Sequence, residues 1–436
     1  MSFETLGLSP VLLRALVEQG YTTPTPIQSA AIPVALAGRD MLAGAQTGTG
    51  KTAAFALPLL QRLFIENAGT PANAKRKPRA LILTPTRELA AQVHDSLRGY
   101  AKHVRMSSAT IFGGVSMGPQ MDALRRGVDV LVATPGRLID HMERRTVDLS
   151  GIEILVLDEA DRMLDMGFLP AIKRILGVLP KQQRQTLLFS ATFADEIKQI
   201  AAQFMRNPAE IQVAARNSVV STITHRVHPV EAARKRDLLL HLLSEDSRRQ
   251  ALVFSRTKHG ADKLCKFLDA SGLRTAAIHG NKSQNARTKA LKDFKNNKVT
   301  VLVATDIAAR GLDIDQLPIV INYDLPTVAE DYVHRIGRTG RAGAEGLAVS
   351  LVAQEEVRLL RDIRRMLKQD IAIENVVGYE PNQPLRLEAN GPSPGRPRNP
   401  NHARRPHPQG PKKPHAAGNK QHRPWQGQGN RDQRKA

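Results

Sequence analysis

Short aliphatic runs punctuate the chain roughly every 20 to 40 residues, the rhythm of alternating strands and helices in an α/β protein. In the first half they are Met41–Ala43, Ala80–Leu83, Ala109–Phe112, Val128–Val132, Ile154–Leu157 and Thr186–Phe189. Ile154–Leu157 is aliphatic at every position and so has no polar face. That predicts a strand buried on both sides, as in a parallel sheet covered by helices. Helical patterning fills the gaps. Ser9 to Gly20 carries Leu12, Leu13, Leu16 and Val17 on one face and stops at glycine, and Pro24-Thr25-Pro26 breaks the chain before Ile27–Ala37. Another helix is expected from Lys51, after a glycine-rich turn.

The pattern lapses near Asn207-Pro208 and resumes with a second set of runs, Ala251–Phe254, Thr275–Ile278, Val299–Val303, Ile319–Ile321 and Leu347–Leu351. Val130-Leu131-Val132-Ala133-Thr134 recurs letter for letter as Val301-Leu302-Val303-Ala304-Thr305. Two similar α/β lobes in tandem are expected. The expected division is a leading segment at 1–29, a first domain at 30–210, a linker at 211–224, a second domain at 225–378 and a tail at 379–436. From Pro381 onward there are 12 Lys and Arg against 2 Asp and Glu, 11 prolines, two leucines and no isoleucine or valine. Such a segment buries too little apolar surface to offset its ordering entropy, so a disordered basic tail is expected.

Charge narrows the function. A net +22 over 436 residues favours a polyanionic partner, and about half of it (12 − 2 = +10) sits in the tail. No run of apolar residues is long enough to span a membrane. Phe3 to Leu8 run straight into Ser9-Pro10, a helix start, so no targeting segment is expected. The only cysteine, Cys265, excludes an intrachain disulfide and a cysteine zinc site, which suits a reducing cytoplasm.

The chemistry begins where strands should end. Ala45-Gln46-Thr47-Gly48-Thr49-Gly50-Lys51-Thr52 matches the phosphate-binding loop, with Ala45 in place of its usual first glycine. In such a loop backbone N–H groups cradle phosphates, Lys51 reaches the outer ones and Thr52 offers a hydroxyl to magnesium. Asp158 and Glu159 follow a buried strand, where α/β sheets present their ligands. One acid can hold Mg²⁺ through water while the next polarises an attacking water. Taken alone, they can also be read as an acidic strand-to-helix turn, the less favoured of the two readings. Paired with the phosphate loop, they indicate nucleotide binding.

These stretches resemble the DEAD-box RNA helicases, from Phe3 to about Leu367. Gly20-Tyr21-Thr22-Thr23-Pro24-Thr25-Pro26-Ile27-Gln28, with Phe3 before it, is similar to that family's adenine-reading element. The resemblance implies two RecA-like lobes, ATP and Mg²⁺ as cofactors, and RNA as partner, single-stranded or a short duplex, read without sequence preference. It implies that Gln28 hydrogen-bonds adenine beside the Phe3 and Tyr21 rings and that Asp313 binds the ribose. Ser190 and Thr192, with Asp161, would couple the ATP site to RNA. First-lobe RNA contacts would be Thr86, Arg87, Gly113, Gly114, Thr134, Gly136 and Arg137. Second-lobe contacts would be Arg256, Gln284, Arg287, Thr305, Asp306 and Arg310. His334, Arg338 and Arg341 would complete catalysis from the stretch Tyr332–Arg341.

The expected function is ATP-dependent separation of short RNA duplexes or remodelling of RNA–protein complexes as the lobes close. An ATP-gated RNA clamp and a DNA translocase are the competing readings. Within the family, the short basic tail looks most like that of the bacterial RhlE-type group. Family habit implies ribosomal precursor particles or RNA-decay machinery as targets, and a cytoplasmic monomer is expected. The tail is expected to tether RNA indifferently to sequence, with Trp425 as a stacking residue.

Overall fold

The computed structural model describes residues 2–45, 49–66, 77–213, 223–245, 250–309, 314, 317–340 and 345–387. The expectations for the tail from residue 388 onward, and for Gln46, Thr47, Gly48, Arg310, Asp313 and Arg341, fall outside them; within 379–387, Tyr379, Leu385 and Leu387 pack against the second lobe, so the expected tail begins too early.

Two seven-stranded sheets form, and every described pairing is parallel. The first holds β1 (Met41–Gly44), β2 (Ala80–Leu83), β3 (Ser108–Ile111), β4 (Val130–Ala133), β5 (Ile154–Leu157), β6 (Gln185–Ser190) and β7 (Ala209–Gln212). The second holds β8 (Ile223–Pro229), β9 (Ala251–Phe254), β10 (Thr275–Ile278), β11 (Val301–Ala304), β12 (Ile319–Asn322), β13 (Gly346–Val352) and β14 (Ala372–Ile373). Their spatial orders are β3-β4-β2-β5-β6-β1-β7 and β10-β11-β9-β12-β13-β8-β14, the same permutation. The repeated Val-Leu-Val-Ala sequence occupies β4 and β11, which hold equivalent places.

Burial on both faces explains why the central strands are so apolar. Along β5, Ile154 and Val156 face one hydrophobic core while Leu155 and Leu157 face the other. Three strands were absent from the aliphatic pattern. β7 and β14 are edge strands, one half-exposed and the other only two residues long. β8 alternates, with buried Ile223, His225 and Val227 separated by exposed Thr224 and Arg226. Its polar inward residue finds a partner for one ring nitrogen, since His225 Nδ1 lies 3.2 Å from the Tyr332 hydroxyl. Ile223 and Thr224, expected in the linker, already belong to this strand.

Among the described residues no helix is long and apolar enough to cross a membrane.

Candidate functional site

The acids of the opening pattern lie at the carboxyl end of β5, near the middle of the first sheet. Asp158 is 2% exposed and its backbone N–H donates to Leu83 O at 2.9 Å. Burial pushes its carboxyl up to about 6; Glu159's charge adds to the rise and Lys51 opposes it. Asp158 Oδ1 is buried with no hydrogen-bond partner among the described residues. A buried carboxylate oxygen left open in this way suits a cation.

Glu159 follows at φ +52°, a left-handed conformation that a non-glycine residue adopts at a penalty of roughly 1–3 kcal/mol. The turn lets the chain leave β5 and enter the helix Ala160–Asp165 at once. Asp161 points elsewhere. Its Oδ2 accepts the N–H groups of Ala191 and Thr192 at 3.0 and 3.2 Å, and burial raises its pKa. Ser190 Oγ closes the same turn by donating to Thr192 O at 2.6 Å. The box is therefore mechanically joined to the end of β6.

The phosphate loop leaves β1 beside this point. Ala45 N–H donates to Ser190 O at 3.0 Å, and Lys51 opens the helix Lys51–Leu60 with only 7% exposure. Thr52 follows it in the first turn. Gly50 has φ +90°, and a Cβ there would sit 2.4 Å from Gln28 Nε2. Two separate constraints thus require glycine.

Gln28 is the link to the leading segment. Its Oε1 accepts Thr25 N–H at 2.8 Å in a capping box, and its Nε2 donates to Gly50 O at 3.1 Å. An amide keeps a second lone pair and a second N–H, so these contacts leave it able to meet a base edge. Tyr21 packs edge-on against both Phe3 and Tyr100, at centroid distances of 6.3 and 5.9 Å.

The other expected first-lobe residues gather at neighbouring strand ends. Thr86 Oγ1 caps the helix Arg87–Tyr100 by accepting Leu89 N–H at 3.2 Å. Arg87 lies over Gly114, where φ is +77° and an added Cβ would come within 1.8 Å of its guanidinium. Arg137 approaches the same glycine pair and donates to Val115 O at 3.2 Å. Thr134 precedes the helix Pro135–Glu143. Gly136 on that helix has open space above it, so nothing among the described residues requires its small size.

In the second lobe the expected contacts are largely committed to protein. Arg256 Nη2 pairs with Glu356 at 3.1 Å, and Glu356 also binds buried Lys235. Asp306 holds Arg335 with both oxygens, at 2.5 and 2.7 Å, one residue past Thr305. Gln284 and Arg287 cross to the first lobe. Gln284 Nε2 meets Glu88 Oε1 at 2.8 Å and Arg287 Nη2 meets Glu88 Oε2 at 2.9 Å, with all three residues buried. A second crossing joins Arg162 to Asp331 at 2.9 Å. His334 and Arg338 line a small cavity together with that pair. Glu88, Arg162, Asp331 and Arg335 were given no role by the sequence pattern. Arg335 lies within Tyr332–Arg341 and the other three stand beside expected residues or stretches (Arg87, Asp161 and Tyr332), but only the tertiary partner reveals the work of each.

A phosphate-loop sequence and an acid pair on one parallel sheet, joined through Arg162–Asp331 and Glu88–Arg287 to a second sheet of the same topology, define a two-lobe ATP-binding protein. Residues 25–200 match the DEAD/DEAH box helicase family and residues 234–343 match the helicase conserved C-terminal domain. The chain is 41% identical over 385 residues to the DEAD-box ATP-dependent RNA helicase RhpA of Helicobacter pylori, covering 88% of this chain and 76% of that one. It is 44% identical over 370 residues to the ATP-dependent RNA helicase CshA of Limosilactobacillus reuteri, covering 84% and 72%. S. cerevisiae Dbp5 bound to RNA and ADP BeF3 superposes with a TM-score of 0.76 at 33% identity, covering 86% and 95%. A DEAD box protein from Methanococcus jannaschii reaches only 0.51 despite 39% identity, covering 86% and 99%. The lobes are therefore set relative to each other much as in the Dbp5 complex. This chain belongs to the DEAD-box ATP-dependent RNA helicase family.

Proposed function

We propose that this protein hydrolyses ATP to separate short RNA duplexes or remodel RNA–protein complexes, by closing its two lobes over both ligands. The observation that carries the reading is the placement of the cross-lobe contacts. One lies at Glu88, next to Thr86 and Arg87, and the other at Arg162, next to the Asp158–Asp161 box. Closure thus assembles the RNA end and the ATP end of the cleft together.

In this reading Lys51 holds the outer phosphates and Glu159 orients the attacking water. Arg338 and Arg341 supply positive charge where the transition state spreads negative charge, an effect worth roughly 10³–10⁵ in rate for an arginine finger. Thr52 and Asp158 would hold Mg²⁺; the orphaned, buried Asp158 Oδ1 fits that use. The ion would neutralise phosphate charge. Asp161 transmits the state of the site to Ser190 and Thr192. Gln28 reads adenine, Asp313 the ribose, and the arginines and glycine N–H groups at the strand ends hold RNA phosphates. The reading takes in a cytoplasmic monomer of RhlE-type character, acting on ribosomal precursors or in RNA turnover.

Coupling of this kind is reciprocal, so ATP must tighten RNA by the factor that RNA tightens ATP. The test is steady-state ATP turnover with RNA and DNA single strands of one sequence. RNA alone should stimulate, because 2′-hydroxyls distinguish the two backbones. Equal stimulation by DNA would sink the reading.

Glu88→Ala strands buried Arg287 without its acid whenever the lobes close. The RNA concentration giving half-maximal ATP turnover is expected to rise about ten-fold, equivalent to roughly 1.4 kcal/mol of lost closure. An RNA titration of ATP hydrolysis reads it directly, and an unshifted midpoint would remove Glu88 from closure.

A further inference from the structure

We infer that Arg162, the residue after the Asp158–Asp161 box, positions the second lobe's arginines for hydrolysis by gripping Asp331 across the cleft. The inference rests on the closure reading above and adds a residue to it. Arg162 Nη1 lies 2.9 Å from Asp331 Oδ1, and their side chains are 7% and 13% exposed. The same nitrogen lies 3.5 Å from Asp165 Oδ2, an i,i+3 neighbour that holds the guanidinium in place from its own helix.

What surrounds the pair gives it a purpose. Asp331 stands in the first turn of the helix Ala329–Ile336, His334 lies one turn further on, and Arg338 follows just past the Gly337 cap. Arg162, Asp331, His334 and Arg338 all line one small cavity between the lobes. On the first-lobe side, Arg162 is bonded into the box, its backbone N–H donating to Asp161 Oδ1 at 3.0 Å. Asp161 in turn holds Ala191 and Thr192. One continuous path therefore runs from the Ser190–Thr192 turn, through the acid box, to the helix that delivers Arg338.

A charge pair at a closing interface serves register more than affinity. Its Coulomb gain is largely offset by the loss of water from both ions, so the closed state gains little overall. A closed state that misplaces Asp331, however, buries both charges out of reach of each other and is strongly disfavoured. The pair selects one setting of the helix, and with it one position of Arg338 over the phosphates. Arg162 touches neither ATP nor RNA in this account. It is a positioning residue.

The full-length protein tests this with Arg162→Gln, Arg162→Lys, Asp331→Asn and the Arg162→Gln/Asp331→Asn double variant. Two readouts are needed: RNA-stimulated kcat and KM for ATP, and the release rate of a fluorescent RNA oligonucleotide from protein locked with ADP and beryllium fluoride. Arg162→Gln should lower kcat and speed release about ten-fold each, with KM for ATP changed less than about two-fold; a ten-fold effect corresponds to 1.4 kcal/mol. Arg162→Lys, which keeps a charge within reach of Asp331, should recover most of both losses. The double variant should be no worse than its weaker parent. Release of RNA from Arg162→Gln at the wild-type rate would overturn the inference, as would multiplying losses in the double variant or a rise in KM with kcat intact. Failure of RNA to stimulate the wild-type protein would instead sink the closure reading itself, so the two failures are distinguishable.

Discussion

Glu159→Gln is expected to lower ATP turnover about 10²–10⁴-fold, the range that a positioned general base contributes. The same variant should hold RNA longer in the presence of ATP. Glutamine keeps the length and planarity of the side chain but cannot take a proton. It also removes a negative charge from beside Asp158, so phosphate binding should not suffer. Ground-state contacts therefore persist while the chemical step fails, and the lobes stay shut over unhydrolysed ATP. Single-turnover hydrolysis and the dissociation rate of labelled RNA, measured on the same sample, separate these effects. Turnover within a few-fold of wild type would remove Glu159 from the chemistry.

Arg335→Met should produce the largest loss of stability in the second lobe. The Arg335 side chain is 2% exposed and is the largest among those that are fully buried. Its Nε and Nη2 bind both oxygens of Asp306, and its Nη1 donates to Asn322 Oδ1 at 3.0 Å and Asp324 O at 2.6 Å. The guanidinium also lies 4.9 Å from the centre of the Phe254 ring. Methionine fills part of the volume but leaves Asp306, about a quarter exposed, without its partner, and takes a donor from buried Asn322. Because Asp306 keeps some solvent, the loss is about 3 kcal/mol, which for a lobe of this size lowers its melting temperature by roughly 10 °C. Lysine should rescue little, because a point charge cannot satisfy acceptors arranged around a planar fork. Calorimetry on the full chain reads the shift, and a change under about 2 °C would show that Asp306 finds another partner.

The parts of the fold legible from sequence were those where local pattern and tertiary environment agree. β5 and the β4/β11 pair are aliphatic because helices cover both faces of the sheet, so their composition alone announces them. β8 was missed because its buried positions include two histidines, His225 and His228, and its outward positions are polar. Its environment could be read only from the tertiary partners, Tyr332 and the backbone of Glu374, which each meet one ring nitrogen. The site followed the same division. Asp158 and Glu159 stood out because acids ending an apolar run are rare without cause. Arg162 and Asp331 are 169 positions apart, and nothing local to either distinguishes a cross-lobe ion from a solvated one. Gln284 and Arg287 were expected on RNA, yet here they hold Glu88.

The shared strand permutation has a consequence for stoichiometry. β1 and β8 occupy equivalent places, but β1 runs into Gly44-Ala45 and the phosphate loop, while β8 ends at Pro229-Val230 and a single turn of 3₁₀ helix. One copy of the doubled scaffold cradles phosphate and the other has given that loop up. The molecule thus loads a single nucleotide per pair of lobes, and ATP saturation should be hyperbolic, with no cooperativity between sites. One ATP is then expected to be spent per closure of the lobes.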